Sequence, residues 1–224
     1  MIAESLRHRL GAAQQLAMRT VSRTTLYGSS RPVNAVWHDD PDFLWFRVAK
    51  AGATTVKRQL RANGLQLSER FDVRYPVKRL EHHFAFAFVR NPWDRLVSCW
   101  ASKVHGRKNM FQFDSATHAR MQDFAAFVDF VSGFDLVAGD PHLRLQTQLV
   151  DFGRVDYVGR YERFGDDADE VFSRLGLRFD REYNPNASSR QRDFRTYYSD
   201  GLAERVGTLY ERDIRLLGYW FDGG

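Results

Sequence analysis

The chain has 224 residues, enough for one sizeable core, and one compact domain is expected rather than two small ones. A composition of 43% hydrophobic and 14% aromatic residues excludes a disordered chain, and 27% charged residues fit a soluble surface. The net charge of +5, from 33 Lys and Arg against 28 Asp and Glu, favours an anionic ligand, and Cys99, the only cysteine, excludes an internal disulfide and a cysteine-based zinc cluster.

The first twenty residues mix Arg7, His8, Arg9, Gln14 and Arg19 with apolar residues and contain no uninterrupted hydrophobic segment, so neither a secretory signal nor a membrane span is expected. The segment reads as an amphipathic helix, compatible with peripheral contact to the inner face of a membrane, and a cytoplasmic location is the simpler reading. "YGSSRPVNAVWHDDPD" follows, rich in turn formers and prolines. Residues 1–42 are therefore expected to form a helix and loop extension, and 43–224 a single domain whose first strand opens at Phe43.

That strand, "FLWFRVA", is apolar throughout, as expected of a strand covered on both faces. "KAGATT" follows, with Thr54 or Thr55 as the cap of a helix running through Val56, Lys57 and Leu60, and Gly52 allowing a tight turn. A second buried strand is expected over "FAFAFV", Phe84 to Val89. Its successor "RNPWDRLVSCW" places Asn91 as a helix cap and Pro92 at the first helical position, where its missing amide costs no hydrogen bond. Residues 101–120, with Lys103, His105, Arg107 and Lys108, read as an exposed basic loop. Phe124, Phe127, Val128 and Val131 return at helical spacing. "VDYVGRY" predicts a short strand and "DADEVFSRLG" a helix. Val206, Leu209, Tyr210, Ile214 and Leu217 trace the apolar face of a last helix, with Glu211 and Arg215 paired on the other side. No internal repeat or low-complexity linker divides the chain.

Two strand-to-helix junctions thus carry cations, Lys50 and Arg90, and in an open α/β sheet such junctions gather beyond the carboxyl ends of the strands. At the first, Lys50 can approach a bridging oxygen while the amides and hydroxyls around Gly52, Thr54 and Thr55 meet terminal oxygens. A turn that merely closes one strand and opens a helix has the same composition. Because the lysine precedes the glycine, the segment does not match GxxxxGK[ST], which argues against a Walker-type triphosphatase. At the second junction Arg90 offers a planar guanidinium, and Ser98, two helical turns beyond Asn91, can add a hydroxyl. Arg95 reads as a structural arginine, paired with Asp94 or another partner. Two separated cationic junctions suit a ligand with separated anionic groups.

"RVAKAGATTV", "FAFVRNPWDRLVSCW", "YVGRYERF" and "RDFRTYYSDGLAERVGTLYERDIRLLGYWF" together resemble the carbohydrate sulfotransferase family, over most of residues 43–222. The resemblance implies a P-loop-like three-layer α/β fold with a mainly parallel central sheet flanked by helices. It implies transfer of a sulfuryl group from 3′-phosphoadenosine 5′-phosphosulfate (PAPS) to a hydroxyl acceptor, a carbohydrate or glycoconjugate first, and no metal. Lys50, Ala51, Gly52, Ala53, Thr54 and Thr55 would surround the 5′ side of the donor, with Arg90 and Ser98 at the 3′-phosphate. Ala51 and Ala53 stand where many relatives carry small hydroxylated or otherwise different residues, which shifts the burden to backbone amides and the two threonines. Between Lys50 and Arg90 no His-containing segment matches the catalytic-base region of the longer heparan 2-O enzymes.

Sulfuryl transfer needs a base for the acceptor hydroxyl and positive charge for the departing 3′,5′-ADP. Lys50 is placed for the second task. His142, in the polar loop "GDPHLRLQTQ", is the first candidate for the base, with His82, His83 and Glu81 as alternatives, and each of the four also fits a solvated or structural role. Two other classes share these features. One is a regulatory module that binds PAPS or a nucleotide without transfer; the other is a nucleic-acid-binding protein using the basic loop, although no compact nucleic-acid motif supports it and no nucleic acid is expected.

Overall fold

The apolar runs at 43–46 and 84–89 form the middle of a five-stranded sheet in a computed structural model that describes residues 32–182 and 193–223. The helix expected at the N terminus lies outside the described residues. Strands β1 (Val33–Asp39), β2 (Asp42–Phe46), β3 (Glu69–Val73), β4 (Phe84–Val89) and β5 (Tyr157–Arg160) lie in the order β3-β1-β2-β4-β5. β2, β4 and β5 run parallel, with Phe46 opposite Ala87 and Val89 opposite Arg160. β1 is antiparallel to both its neighbours, β2 and β3. Phe43 through Phe46 on β2 and Ala85 through Val89 on β4 are all buried. Both pleat faces are therefore covered, which is why these strands read as unbroken apolar runs rather than alternating ones. The fold is α/β, with a central parallel portion and flanking helices, as expected.

β1 corrects the expectation that the first strand opens at Phe43. Val33, Ala35 and Val36 are fully buried between β2 and β3, so the sheet already takes in residues 33–39. The flanking Pro32 and the Asp39–Asp40–Pro41 turn disguised "VNAVW" as loop, whereas those breakers bound the strand and its hairpin without interrupting it.

Helix α1 (Ala53–Ala62) follows β2 and buries Val56 and Leu60 in the sheet core, while α2 (Pro92–Lys103) follows β4. Asn91 caps α2 by accepting a hydrogen bond from the Trp93 amide at 3.1 Å, with Pro92 at the first position, as the sequence predicts. Beyond α2 come α3 (Ser115–Arg120), α4 (Phe124–Ser132), the single turn α5 (Gln146–Leu149), α6 (Phe164–Arg174), α7 (Asp200–Leu209) and α8 (Glu211–Leu217). α6 buries Ala168, Val171 and Phe172 against the sheet. A second apolar cluster gathers Trp93, Leu96, Val97 and Trp100 of α2 with Phe124, Phe127, Val128 and Val131 of α4 and Val206 of α7. α2 is thus buried on most sides, and its polar residues Asp94 and Arg95 are enclosed with it.

Two further expectations change. The 101–120 segment is loop only in part, because α2 continues to Lys103 and the Asp114 carboxylate caps α3 by accepting from the Thr117 amide at 2.9 Å. The last helix is two. Tyr210 is buried at the break, where its hydroxyl donates to the Leu143 carbonyl at 2.9 Å. Fully buried Asp213 accepts hydrogen bonds from the Gln146 and Thr147 amides at 2.7 and 2.9 Å. A straight helix would not deliver both side chains to the 143–147 segment. The Glu211–Arg215 pair forms at 3.6 Å. No helix among the described residues is long and apolar enough to cross a membrane.

Candidate active site

Because β2, β4 and β5 run parallel, the residues that leave their carboxyl ends emerge at one edge of the sheet. Three junctions meet there: Lys50–Gly52 after β2, Arg90 and Asn91 after β4, and Tyr161 and Glu162 after β5. Arg90 ties the three together. Its Nη1 donates to the Lys50 carbonyl at 3.1 Å, its Nε donates to Asp94 Oδ2 at 2.7 Å, and its guanidinium lies 4.0 Å from the centroid of the Tyr161 ring. The Arg90 amide donates to Gln146 Oε1 at 2.9 Å, and Gln146 Nε2 returns a bond to the Arg90 carbonyl at 2.8 Å. Glu162 accepts from the Asn91 amide at 2.6 Å and from the Tyr219 hydroxyl at 3.1 Å. Asp94 therefore serves Arg90, and Arg95 forms no pair with it.

The first junction is held in an uncommon conformation. Lys50 has φ 70°, a left-handed value that costs a non-glycine residue about 1–2 kcal/mol. Gly52, also left-handed at φ 82°, is the residue from which α1 starts. Thr54 and Thr55, expected as the cap, lie inside the first turn instead, Thr54 exposed and Thr55 buried. Among the described residues no side chain caps α1, and its own first turn has no acidic residue to offset the positive end of this ten-residue helix. Ala51 is buried, and Ala53 opens the helix.

What approaches the glycine is a ring: a Cβ on Gly52 would stand 2.3 Å from Phe164 Cε2. Phe164 cannot easily retreat, since Phe88, Tyr161 and Phe179 surround it at centroid distances of 5.0, 5.8 and 6.1 Å. Gly52→Ala is expected to destabilise the fold by about 2–5 kcal/mol, the sum of left-handed strain and overpacking. Urea unfolding would show the loss as a lower midpoint with an unchanged slope.

The Lys50 side chain crosses to α2, where Nζ donates to Ser102 Oγ at 2.6 Å. Burial, reinforced by the cations Lys103, Arg90 and Lys108, pushes its ammonium down to about 8. Ser98 sits between Asp94 and Ser102 on the same face of α2 at intervals of four residues, half-buried, its hydroxyl making no hydrogen bond among the described residues. Cys99, one residue on, is fully buried, and burial pushes its thiol up to about 12, so it is a packing residue without nucleophilic character.

Of the four candidate bases, one lies near this edge. His142 Nδ1 donates to Asp140 Oδ1 at 2.8 Å, and the same oxygen accepts the His142 amide at 2.8 Å. That bond fixes the neutral tautomer with Nε2 unprotonated. Burial, together with Lys103 and Arg95, holds the ring below its ordinary value against the opposing pull of Asp140. Lys103 is a charged neighbour of both Lys50 and His142. Glu81, His82 and His83 precede β4, a strand length of about 20 Å from Arg90. His83 Nε2 there faces Asp39 Oδ1 at 3.3 Å beside the β1–β2 hairpin, and His82 is an exposed neighbour of Glu81 at 3.2 Å. The structure therefore gathers Lys50, Gly52, Arg90, Ser98 and His142 around α2 and leaves those three elsewhere.

Sequence reasoning missed Tyr161, Glu162, Ser102, Asp140 and the role of Arg95. Tyr161 and Glu162 had a signal, since they follow a predicted strand as Lys50 and Arg90 do. Ser102 and Asp140 had none, because nothing local says which side chain they face.

Fold and site together define an α/β protein with its cations gathered at the carboxyl edge of the parallel strands. The chain belongs to the sulfotransferase family, whose model matches residues 33–220, from β1 through all three junctions to Trp220. Its reaction class is accordingly sulfuryl transfer. Comparison with curated proteins and with solved structures gave no match.

Proposed function

We propose that the protein transfers the sulfuryl group of PAPS to a hydroxyl of a carbohydrate or glycoconjugate, leaving 3′,5′-ADP and a sulfate ester. The observation that carries this reading is the joining of the two cationic junctions by the 3.1 Å bond from Arg90 to the Lys50 carbonyl. The start of α1, without a side-chain cap among the described residues, follows Lys50 in the chain, and Lys103 is a charged neighbour of both Lys50 and the His142 that pairs with Asp140. The residues fit the donor. The amides at the start of α1 can receive the 5′-phosphate, while the remaining N–H groups of Arg90 and the hydroxyl of Ser98 can receive the 3′-phosphate. PAPS supplies the activated sulfuryl group. Lys50 stabilises the charge that grows on the leaving phosphate, His142 Nε2 takes the acceptor proton, and Asp140 steadies the imidazolium that results.

Incubation of the purified protein with radiolabelled PAPS and a panel of carbohydrates, phenols and lipids tests the reading. Sulfated carbohydrate located by mass spectrometry supports it. Tight PAPS binding with no product would instead mark a regulatory module, and sulfation of phenols or lipids alone would overturn the carbohydrate acceptor. Arg90→Ala is expected to weaken 3′,5′-ADP binding by roughly 10- to 100-fold, the size of a lost charge-assisted hydrogen bond, and Ser98→Ala by less than about tenfold. Calorimetry with equal affinities for wild type and Arg90→Ala would refute the phosphate contact.

A further inference from the structure

Arg95 is 1% exposed, among the largest fully buried side chains of the molecule, and no carboxylate pairs with it among the described residues. A buried guanidinium without a counter-ion is costly unless its N–H groups are satisfied in another way. Here three carbonyls satisfy them, all at 2.9 Å: Nε donates to Ala49, Nη1 to Arg144 and Nη2 to Pro141. Ala49 immediately precedes Lys50, and Pro141 immediately precedes His142. Neither carbonyl belongs to a strand or helix that would supply a donor. Arg144 in turn holds its own loop, donating from Nε to the Gly139 carbonyl at 2.9 Å and from Nη2 to the Ala138 carbonyl at 2.8 Å.

Resting on the sulfuryl-transfer reading above, we infer that Arg95 is a positioning residue, a clamp that sets the Lys50 loop and the His142 loop at their working separation. The planar fork is what the task requires. Its nitrogens diverge in one plane and reach carbonyls on two loops at once, whereas a lysine at the same place presents one point charge and one reach. The clamp stands on α2, the helix that also carries Ser98 and Ser102, so both loops are referred to the same rigid element. Its charge has a second consequence. Arg95 and Lys103 of α2 oppose protonation of His142, and Asp140 of the same loop favours it. Burial contributes most to holding the ring neutral, and the charge of Arg95 adds to it in the direction a base requires.

Arg95→Lys and Arg95→Gln separate the two effects. Both variants are expected to lose roughly 10- to 100-fold in kcat, as misplacement of reacting groups by about 1 Å does, with a smaller change in 3′,5′-ADP affinity. Only Arg95→Gln, which removes the charge, is expected to move the acid limb of the rate profile to higher pH. Hydrogen exchange should quicken in both variants at 48–53 and 139–144 together. Normal turnover in Arg95→Lys, or exchange that quickens in one loop alone, would overturn the clamp. If the wild-type protein transfers no sulfuryl group to any acceptor, the functional reading fails and the exchange measurement still decides the clamp. If neither variant folds, native-state exchange of the wild type decides it, with one shared opening expected and two independent openings refuting it.

Discussion

Lys50→Ala is expected to lower turnover at saturating PAPS by about 10²–10³-fold, the loss that follows removal of one preorganised group facing developing charge. Affinity for 3′,5′-ADP should fall much less, because Arg90, Ser98 and the start of α1 remain. The separation follows from geometry. The half-buried Lys50 ammonium is held against Ser102 at 2.6 Å, and its backbone lies in the left-handed region, so the side chain is fixed before any ligand arrives. Fixed charge of this kind favours the transition state over the ground state, where less charge has accumulated on the leaving group. Lys50→Arg should not restore the rate, because a planar fork cannot occupy the place of a compact ammonium beside Ser102.

On the proposed mechanism the same residue sets an alkaline limit. Its ammonium is charged below about 8 and neutral above it, so kcat/KM for the donor, which reports the free enzyme, is expected to fall as pH rises through that value. A donor already bound brings negative charge beside Lys50 and should move the corresponding limb of kcat to higher pH. Saturated turnover near the wild-type value in a Lys50→Ala protein with native circular dichroism would refute the role.

The parts legible in the sequence are those governed by local rules. An apolar run of six residues cannot be half-exposed, and β4 coincides with "FAFAFV". An Asn-Pro pair before an apolar helix has one common use, and Asn91 and Pro92 have it. The cationic junctions were legible because parallel strands leave no choice about which edge receives them. The cap of α1 was misread for an equally local reason. Thr54 and Thr55 are good capping residues, but Gly52 in the left-handed region turns the chain two or three residues earlier and draws both into the helix. Contacts such as those of Asp213 and Arg95 were beyond reach. Both are buried polar side chains whose partners lie 46 or more residues away, and only the packing of α2 and α8 on the 139–147 segment brings them together.

His142→Gln is expected to cost about 10²–10⁴-fold in kcat, the usual contribution of a positioned general base, and to change the shape of the pH profile as well as its height. On the proposed mechanism the ring must be neutral to accept the acceptor proton. Burial, Lys103 and Arg95 place its titration below the ordinary 6.5, so activity should rise with pH on the acid side and level off at a lower pH than an ordinary histidine would give. Together with the fall set by Lys50, this gives a bell whose acid limb belongs to His142. In His142→Gln the acid limb should vanish while the alkaline limb remains, because the glutamine does not titrate and Lys50 is untouched. Asp140→Asn offers the finer comparison. It removes the carboxylate that accepts from His142 Nδ1 at 2.8 Å and with it the main support for the imidazolium, so the acid limb should move to lower pH and the plateau should fall. A surface histidine with no part in the reaction predicts none of this: both variants would keep the wild-type rate and both limbs, and that outcome would return the base to an unassigned group or to water.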